Sequence, residues 1–161
     1  MDLQLKRVDA KNIWALTALK VREDQASFVA SNTVSLLEAY ATVTAGKQAL
    51  PFGVYDGETP VGFLMLGYDA LDWEDEPEIA AGNYCLWRLM IDQRYQGRGY
   101  GRRAVELALD YIRTLPCGAA EFCWLSYEPE NTAARLLYRS MGFVETGGMD
   151  DEEIVAALPL K

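Results

Sequence analysis

The chain has 161 residues, half of them hydrophobic and a quarter charged, and its net charge is −9. That length suits one domain, which buries roughly 70% of its unfolded surface without staples, and the acidity argues against nucleic acid or an anionic membrane as partner. There is no histidine, which removes Ser-His and Cys-His nucleophilic catalysis, imidazole metal sites and any imidazole base.

Met1–Lys6 alternates like a strand instead of forming a signal-peptide core, and no apolar run approaches the ~20 residues of a membrane span. Leu3–Val8 predicts the first strand. Asp9 or Asn12 caps a helix running to about Arg22. Asn32 or Thr33 starts a second helix, with Leu36, Leu37, Tyr40 and Val43 at helical spacing. Phe52–Tyr55 and Val61–Tyr68 flank Asp56-Gly57, a hairpin signal. Asn83–Ile91 is a strand rich in aromatic and aliphatic residues, and a glycine-rich window comes after it. Arg102–Arg113 is a helix with Ala104, Val105, Ala108, Leu109 and Ile112 on its inner face. Ala119–Leu125 is a strand, and Asn131–Ser140 is a helix that Gly142 ends. Phe143–Thr146 and Ile154–Ala157 close the chain as an antiparallel pair. With no repeat and no linker, residues 1–161 read as one α/β (α+β) domain of order βααβββαβαββ. Cys85, Cys117 and Cys123 are odd in number and lack metal spacing, so they read as reduced thiols of a cytoplasmic protein.

The charge is unevenly spread. Gln93–Arg103 holds four arginines and no acid, whereas Asp69–Glu78 holds six acids and no base. A second acidic run is Asp150-Asp151-Glu152-Glu153. The basic stretch contains Gln96-Gly97-Arg98-Gly99-Tyr100-Gly101, where a strand hands over to a helix. Glycines let the backbone bend tightly there. Successive amides at a helix start form an anion cradle, to which Arg98 and Arg102 add guanidinium forks. This predicts a phosphate or pyrophosphate site. Gly99-x-Gly101-x-x-Ala104 also satisfies a dinucleotide pattern, with Glu121 near the place of a ribose-binding acid. Against that pattern, the window comes after three consecutive strands and no βαβ repeat. A Walker lysine is absent.

Gln96-x-x-Gly99-x-Gly101, followed by Asn131, Tyr138 and Gly142-Phe143, resembles the signature of the GNAT N-acetyltransferase superfamily. The order of elements agrees over nearly the whole chain. The stretch Trp87–Gly99 is most similar to bacterial spermine/spermidine acetyltransferases. The resemblance implies a central mixed, mostly antiparallel sheet of about seven strands with helices on both faces. It implies acetyl-CoA as co-substrate and no metal. Pantetheine would pair with the backbone of Leu89, Met90 and Ile91, and the amides of Gln96, Gly97, Arg98, Gly99, Tyr100, Gly101 and Arg102 would hold the pyrophosphate. Asn131 would contact pantetheine besides capping its helix. Tyr138 would be the general acid for the departing thiolate, because a phenol holds its proton until a thiolate appears.

The implied acceptor is a small cationic amine, with polyamines favoured. A protein N-terminus, a lysine, an antibiotic or an amino acid is the alternative, as is a CoA-binding sensor without catalysis. Such an amine is neutral only about once in 2,500 molecules at pH 7, so the site needs a base. Several polyamine acetyltransferases place a Glu on the strand before the signature, where this chain holds Trp87, which offers a π-face to a cation. Glu128, at a strand end, is the first candidate base; Glu23, Glu76 and Asp92 are others. The acidic Asp69–Glu78 loop would draw a polycation to the mouth of the site. Analogy with relatives leaves a homodimer open.

Overall fold

The computed structural model describes residues 2–71, 73 and 76–161; part of the acidic Asp69–Glu78 loop therefore lies outside the described residues. The elements keep the expected order: β1 (Leu3–Arg7), α1 (Ile13–Thr17), α2 (Asn32–Thr44), β2 (Gln48–Asp56), β3 (Thr59–Tyr68), β4 (Tyr84–Ile91), α3 (Tyr100–Ile112), β5 (Phe122–Tyr127), α4 (Thr132–Ser140), β6 (Val144–Asp150) and β7 (Glu153–Pro159). The strands form one sheet in the order β1-β2-β3-β4-β5-β7-β6. No helix among the described residues is long and apolar enough to cross a membrane.

Two irregularities of β4 shape the middle of the sheet. Every strand pair is antiparallel except β4–β5. That parallel ladder is short: Tyr84 pairs with Cys123 and Cys85 with Trp124, after which no further pair forms although β4 continues to Ile91. A gap therefore opens between the two strands. On its other edge, β4 carries a bulge against β3. Met65 stands opposite Arg88 and Leu66 opposite Leu86, which leaves Trp87 as the extra residue. Leu86 and Leu89 consequently both pack with α3 although two residues separate them, while Trp87 and Met90 pack on the opposite face.

The core has two halves. On one face α3 buries Ala104, Val105, Ala108, Leu109 and Ile112 against Phe52, Leu64 and Leu66, the face its sequence period predicts. On the other, Leu16 of α1 and Ala39 of α2 cover Tyr55, Phe63 and Met65. The first helix is shorter than expected, ending at Thr17 instead of about Arg22. The reason is a competing set of partners: the Lys20 amide donates to the Asp92 carboxylate at 3.0 Å, and the Lys20 carbonyl accepts from the Gln93 amide at 2.8 Å. These bonds pull the chain to the end of β4 and out of helical conformation.

Of the apolar spacing expected in α2, Leu36 packs against the core, whereas Leu37, Tyr40 and Val43 face outward together with Val34. The fully buried positions of the helix are small (Asn32, Ser35, Ala39, Thr42). Ser31 caps it by accepting from the Val34 amide at 3.1 Å, and Asn32 donates to the Leu16 carbonyl at 2.8 Å, which ties α2 to α1.

Candidate active site

The gap between β4 and β5 is the mouth of a cleft of about 550 Å³. Its walls come from β4 (Leu86–Ile91), the glycine window, β5 (Leu125–Tyr127), α4 and the segment after α1. The window supplies unpaired donors. Among the described residues, no amide from Gln96 to Arg102 donates a hydrogen bond; the first that does is Arg103, to the Gly99 carbonyl at 3.2 Å. Gly97 (φ 78°) and Gly99 (φ 83°) adopt the left-handed conformation that turns these amides outward, and Gly99 is the N-cap of α3. Orphan amides at a helix start form an anion site, so the residues present fit a pyrophosphate.

The Gln96 side chain holds this loop. Its Nε2 donates to the Ile91 carbonyl at 2.9 Å and to Gln25 Oε1 at 2.9 Å, while its Oε1 accepts from Arg22 at 2.8 Å. Gln96 thus braces the window against both β4 and the segment after α1. The arginines are placed differently. Arg102 donates to Ser140 at 2.9 Å, and Arg98 reaches the Arg94 carbonyl at 3.4 Å and lies over the Tyr95 ring. Neither lines the cleft. Leu89, Met90 and Ile91 do line it, along the edge of β4 that β5 leaves unpaired.

On the opposite wall Asn131 caps α4, accepting from the Ala134 amide at 3.3 Å. Asn131 and Tyr138 both line the cleft, two turns apart on one helix face. The Tyr138 ring stacks on Tyr127 (6.1 Å between centroids) and meets Phe143 edge-on (5.7 Å), and burial pushes its hydroxyl well above the ordinary phenol range. That hydroxyl makes no hydrogen bond to protein among the described residues. Tyr127 is itself fixed, donating to Glu145 at 2.6 Å, and Glu145 takes a two-pronged contact from Arg135 at 2.8 and 2.9 Å. Burial, then the Glu145 contact, raises the Tyr127 hydroxyl to about 12.

A second cavity, of about 190 Å³, shares the walls Leu86, Trp87, Arg88, Ser126 and Glu153 with the cleft. Among the described residues its lining combines Trp73, Trp87 and Trp124 with four carboxylates, Glu38, Glu76, Asp150 and Glu153, against one base, Arg88. Arg88 already pairs with Glu38 at 2.6 Å. Glu76 accepts from the Leu71 amide at 2.8 Å, and Ser126 stands 2.8 Å from Glu153 and 3.3 Å from Asp150. Burial, followed by the nearby Glu153, raises the Asp150 carboxyl above its ordinary value. The buried Trp124 indole N–H has no protein acceptor among the described residues. The cavity therefore favours a cation, by charge and by π-faces.

Of the expected carboxylates, Glu128 lies in the turn between β5 and α4, where its carbonyl accepts from the Asn131 amide, and it lines neither cavity. Asp92 is committed to Lys20 and Arg94, and Glu23 is exposed away from both walls. Glu76 lines the second cavity. Glu153, on the wall common to both, has no sequence motif to mark it, and neither have Asp150, Ser126 or Glu38. The Asp150–Glu153 run is plain in the sequence, but its place opposite Ser126 depends on β7 inserting between β5 and β6. Among the described residues, no group of three or more His, Cys, Asp or Glu could hold a metal ion.

The acetyltransferase (GNAT) family model matches residues 14–143. A spermine/spermidine N(1)-acetyltransferase of Bacillus subtilis is 30% identical over 150 residues, covering 93% of each chain. The fold superposes on the aminoglycoside acetyltransferase AAC(6')-Ib in complex with coenzyme A with a TM-score of 0.79 at 15% identity, covering 98% of this chain and 95% of the other. It also superposes on the PaiA N-acetyltransferase of Thermoplasma acidophilum in complex with coenzyme A, with a TM-score of 0.68 at 14% identity and 99% coverage of both.

Proposed function

The chain belongs to the GNAT acetyltransferase family and works as an acetyl-CoA-dependent acetyltransferase, and from that premise we propose that its acceptor is a polyamine of the spermidine or spermine type. One observation carries the reading: a tryptophan-walled cavity with three carboxylates beyond the Arg88–Glu38 pair lies next to the cleft and shares five wall residues with it. An extended polycation matches it, one ammonium among the carboxylates and indoles and a terminal amine in the cleft. The similarity to the Bacillus spermine/spermidine enzyme supports the same acceptor.

Acetyl-CoA supplies the activated thioester. The amides of Gln96–Arg102 hold its pyrophosphate, and the unpaired edge of Leu89–Ile91 aligns the pantetheine arm. Glu153, on the wall common to both cavities, takes the proton from the reacting ammonium and leaves a neutral amine. The amine nitrogen then bonds to the acetyl carbonyl carbon, the carbon–sulfur bond breaks, Tyr138 gives its proton to the departing sulfur, and the excess proton on the new amide nitrogen passes through solvent to restore the phenol. Its burial suits that role, since a phenol with a raised pKa stays protonated until a thiolate forms beside it.

A thiol-release assay across spermidine, spermine, aminoglycosides, amino acids and peptides tests the acceptor. Polyamine turnover is expected, with KM rising as salt screens the acidic cavity. Folded protein that binds CoA yet releases no thiol with any polyamine overturns the proposal, and turnover confined to another panel member reassigns the acceptor.

A further inference from the structure

Among the described residues, Arg88 is the single Lys or Arg side chain on the wall of either cavity, and it belongs to both walls. An acceptor with one end in the cleft and the other among the carboxylates lies alongside it. A guanidinium keeps its charge at any working pH, so an uncancelled Arg88 would repel an ammonium ion there. Glu38, the one charged residue of α2, meets it: Arg88 Nη2 donates to Glu38 Oε1 at 2.6 Å. The two side chains are only 19% and 27% exposed, so salt screens them less than a surface pair. The rest of the guanidinium is weakly engaged. Nη1 reaches the Trp87 carbonyl at 3.2 Å, and the buried Nε finds no acceptor among the described residues. The guanidinium centre lies 5.7 Å from the Trp87 ring centroid, a place over the indole that a ligand cation would also favour. Arg88 is thus a resident cation whose charge one carboxylate cancels.

We infer that the Glu38–Arg88 pair sets the charge selectivity of the acceptor site, an inference that rests on the cationic acceptor proposed above. With the pair intact, the acceptor meets the uncancelled charge of Glu76, Asp150 and Glu153 on the cavity wall, and a polycation is favoured. Without Glu38, the bared guanidinium opposes the polycation. Without Arg88, Glu38 becomes a fourth unpaired carboxylate and attracts it further. Glu38 therefore acts through Arg88 as a positioning residue, and Arg88 is the specificity determinant.

Thiol-release kinetics on the full chain test this through the sign of each change, with circular dichroism reporting the fold. Relative to wild type, Arg88→Gln should lower the KM for spermidine about threefold or more, and Glu38→Gln should raise it about tenfold or more. The double variant, neutral like the wild-type pair, should return the KM most of the way. A pair that merely props β4 against α2 would make both single variants lose affinity. Polyamine turnover with both singles weakened alike, or with no response to Arg88→Gln, overturns the inference and leaves the polyamine acceptor standing. Wild-type turnover of aminoglycosides in place of polyamines removes the polyamine reading, and the same three variants then decide the inference on the aminoglycoside. Turnover confined to neutral or acidic amines overturns both. If Glu38→Gln fails to fold, Arg88→Gln decides: a lower spermidine KM supports the inference, and an equal or higher one refutes it.

Discussion

Gly97 allows the pyrophosphate cradle to be tested apart from the stability of the loop that forms it. Gly97 has φ +78°, and a Cβ built there meets nothing within 4 Å. Gly46, in the turn after α2, has φ +83° and equally open space, but it lies outside the cleft. Alanine at either position therefore suffers the same left-handed backbone penalty, about 1–2 kcal/mol, with no protein clash at either. For a domain of this size that corresponds to a fall in Tm of roughly 2–8 °C in both variants. Only at Gly97 does the new methyl stand where a phosphate would approach the orphan amides. CoA affinity, measured by isothermal titration, should fall at least about tenfold in Gly97→Ala, or ~1.4 kcal/mol, and stay unchanged in Gly46→Ala. Matched losses of Tm with equal CoA affinity would falsify the cradle; the unpaired amides would then serve only solvent.

Tyr138→Phe keeps the ring contacts to Tyr127 and Phe143 and removes only the hydroxyl, so kcat should drop about a hundredfold or more while CoA affinity and Tm hold; an unchanged kcat removes Tyr138 from proton donation. Glu145 is held below the ordinary carboxylate range by its bonds to Arg135 and then Tyr127. Its stabilisation is therefore present at neutral pH and fades as pH falls through that lowered value. Urea melts at stepped pH should show Glu145→Gln less stable than wild type at pH 7, with the difference narrowing as the pH falls below the ordinary carboxylate range. Asp150 has the opposite sign: burial raises its carboxyl, so its ionisation opposes folding above that raised value and the penalty vanishes in acid. Asp150→Asn should raise Tm at pH 7, lose that advantage near pH 3, and weaken spermidine binding severalfold. A lower Tm at pH 7 would show that Asp150 is held by more than Ser126.

Local patterns made the fold readable. The inner face of α3, the Asp56-Gly57 turn and the Gly142 stop are set by neighbours within a few residues, and each stands where the sequence puts it. The glycine window likewise stands at the start of α3, where consecutive amides donate no hydrogen bond among the described residues. What the sequence hid is nonlocal. The length of α1 depends on Asp92, some 72 residues from Lys20. The outward turn of α2 could not be read because its spacing fits a core stripe equally well, and burial depends on what the rest of the chain provides. Arg98 and Arg102 have the composition of phosphate forks, but Tyr95, Ser140 and Glu106 engage them at the surface. Glu128 is near Asn131 in sequence, yet the chain turn after β5 leaves it off both walls.

Trp87 lines both cavities. A regular β4 would alternate through residue 87, but the bulge against Met65 and Leu66 adds one residue and lets both Trp87 and Arg88 face the second cavity. An acid at residue 87 would sit beside Glu38 and compete for Arg88. An indole there adds cation affinity without another charge. In the proposed reaction this separates two tasks that oppose each other. A π-face and a carboxylate cluster stabilise an ammonium ion, which suits the end of the polyamine that must stay charged and anchored. The reacting end has to lose its proton, so its base belongs at the edge of that cluster, next to the cleft. Glu153 is the carboxylate that borders both cavities. β7 brings it there by pairing with β5, with Ser126 opposite Val155 in that register. In the proposed reaction the β6–β7 hairpin thus supplies the base that β4 does not.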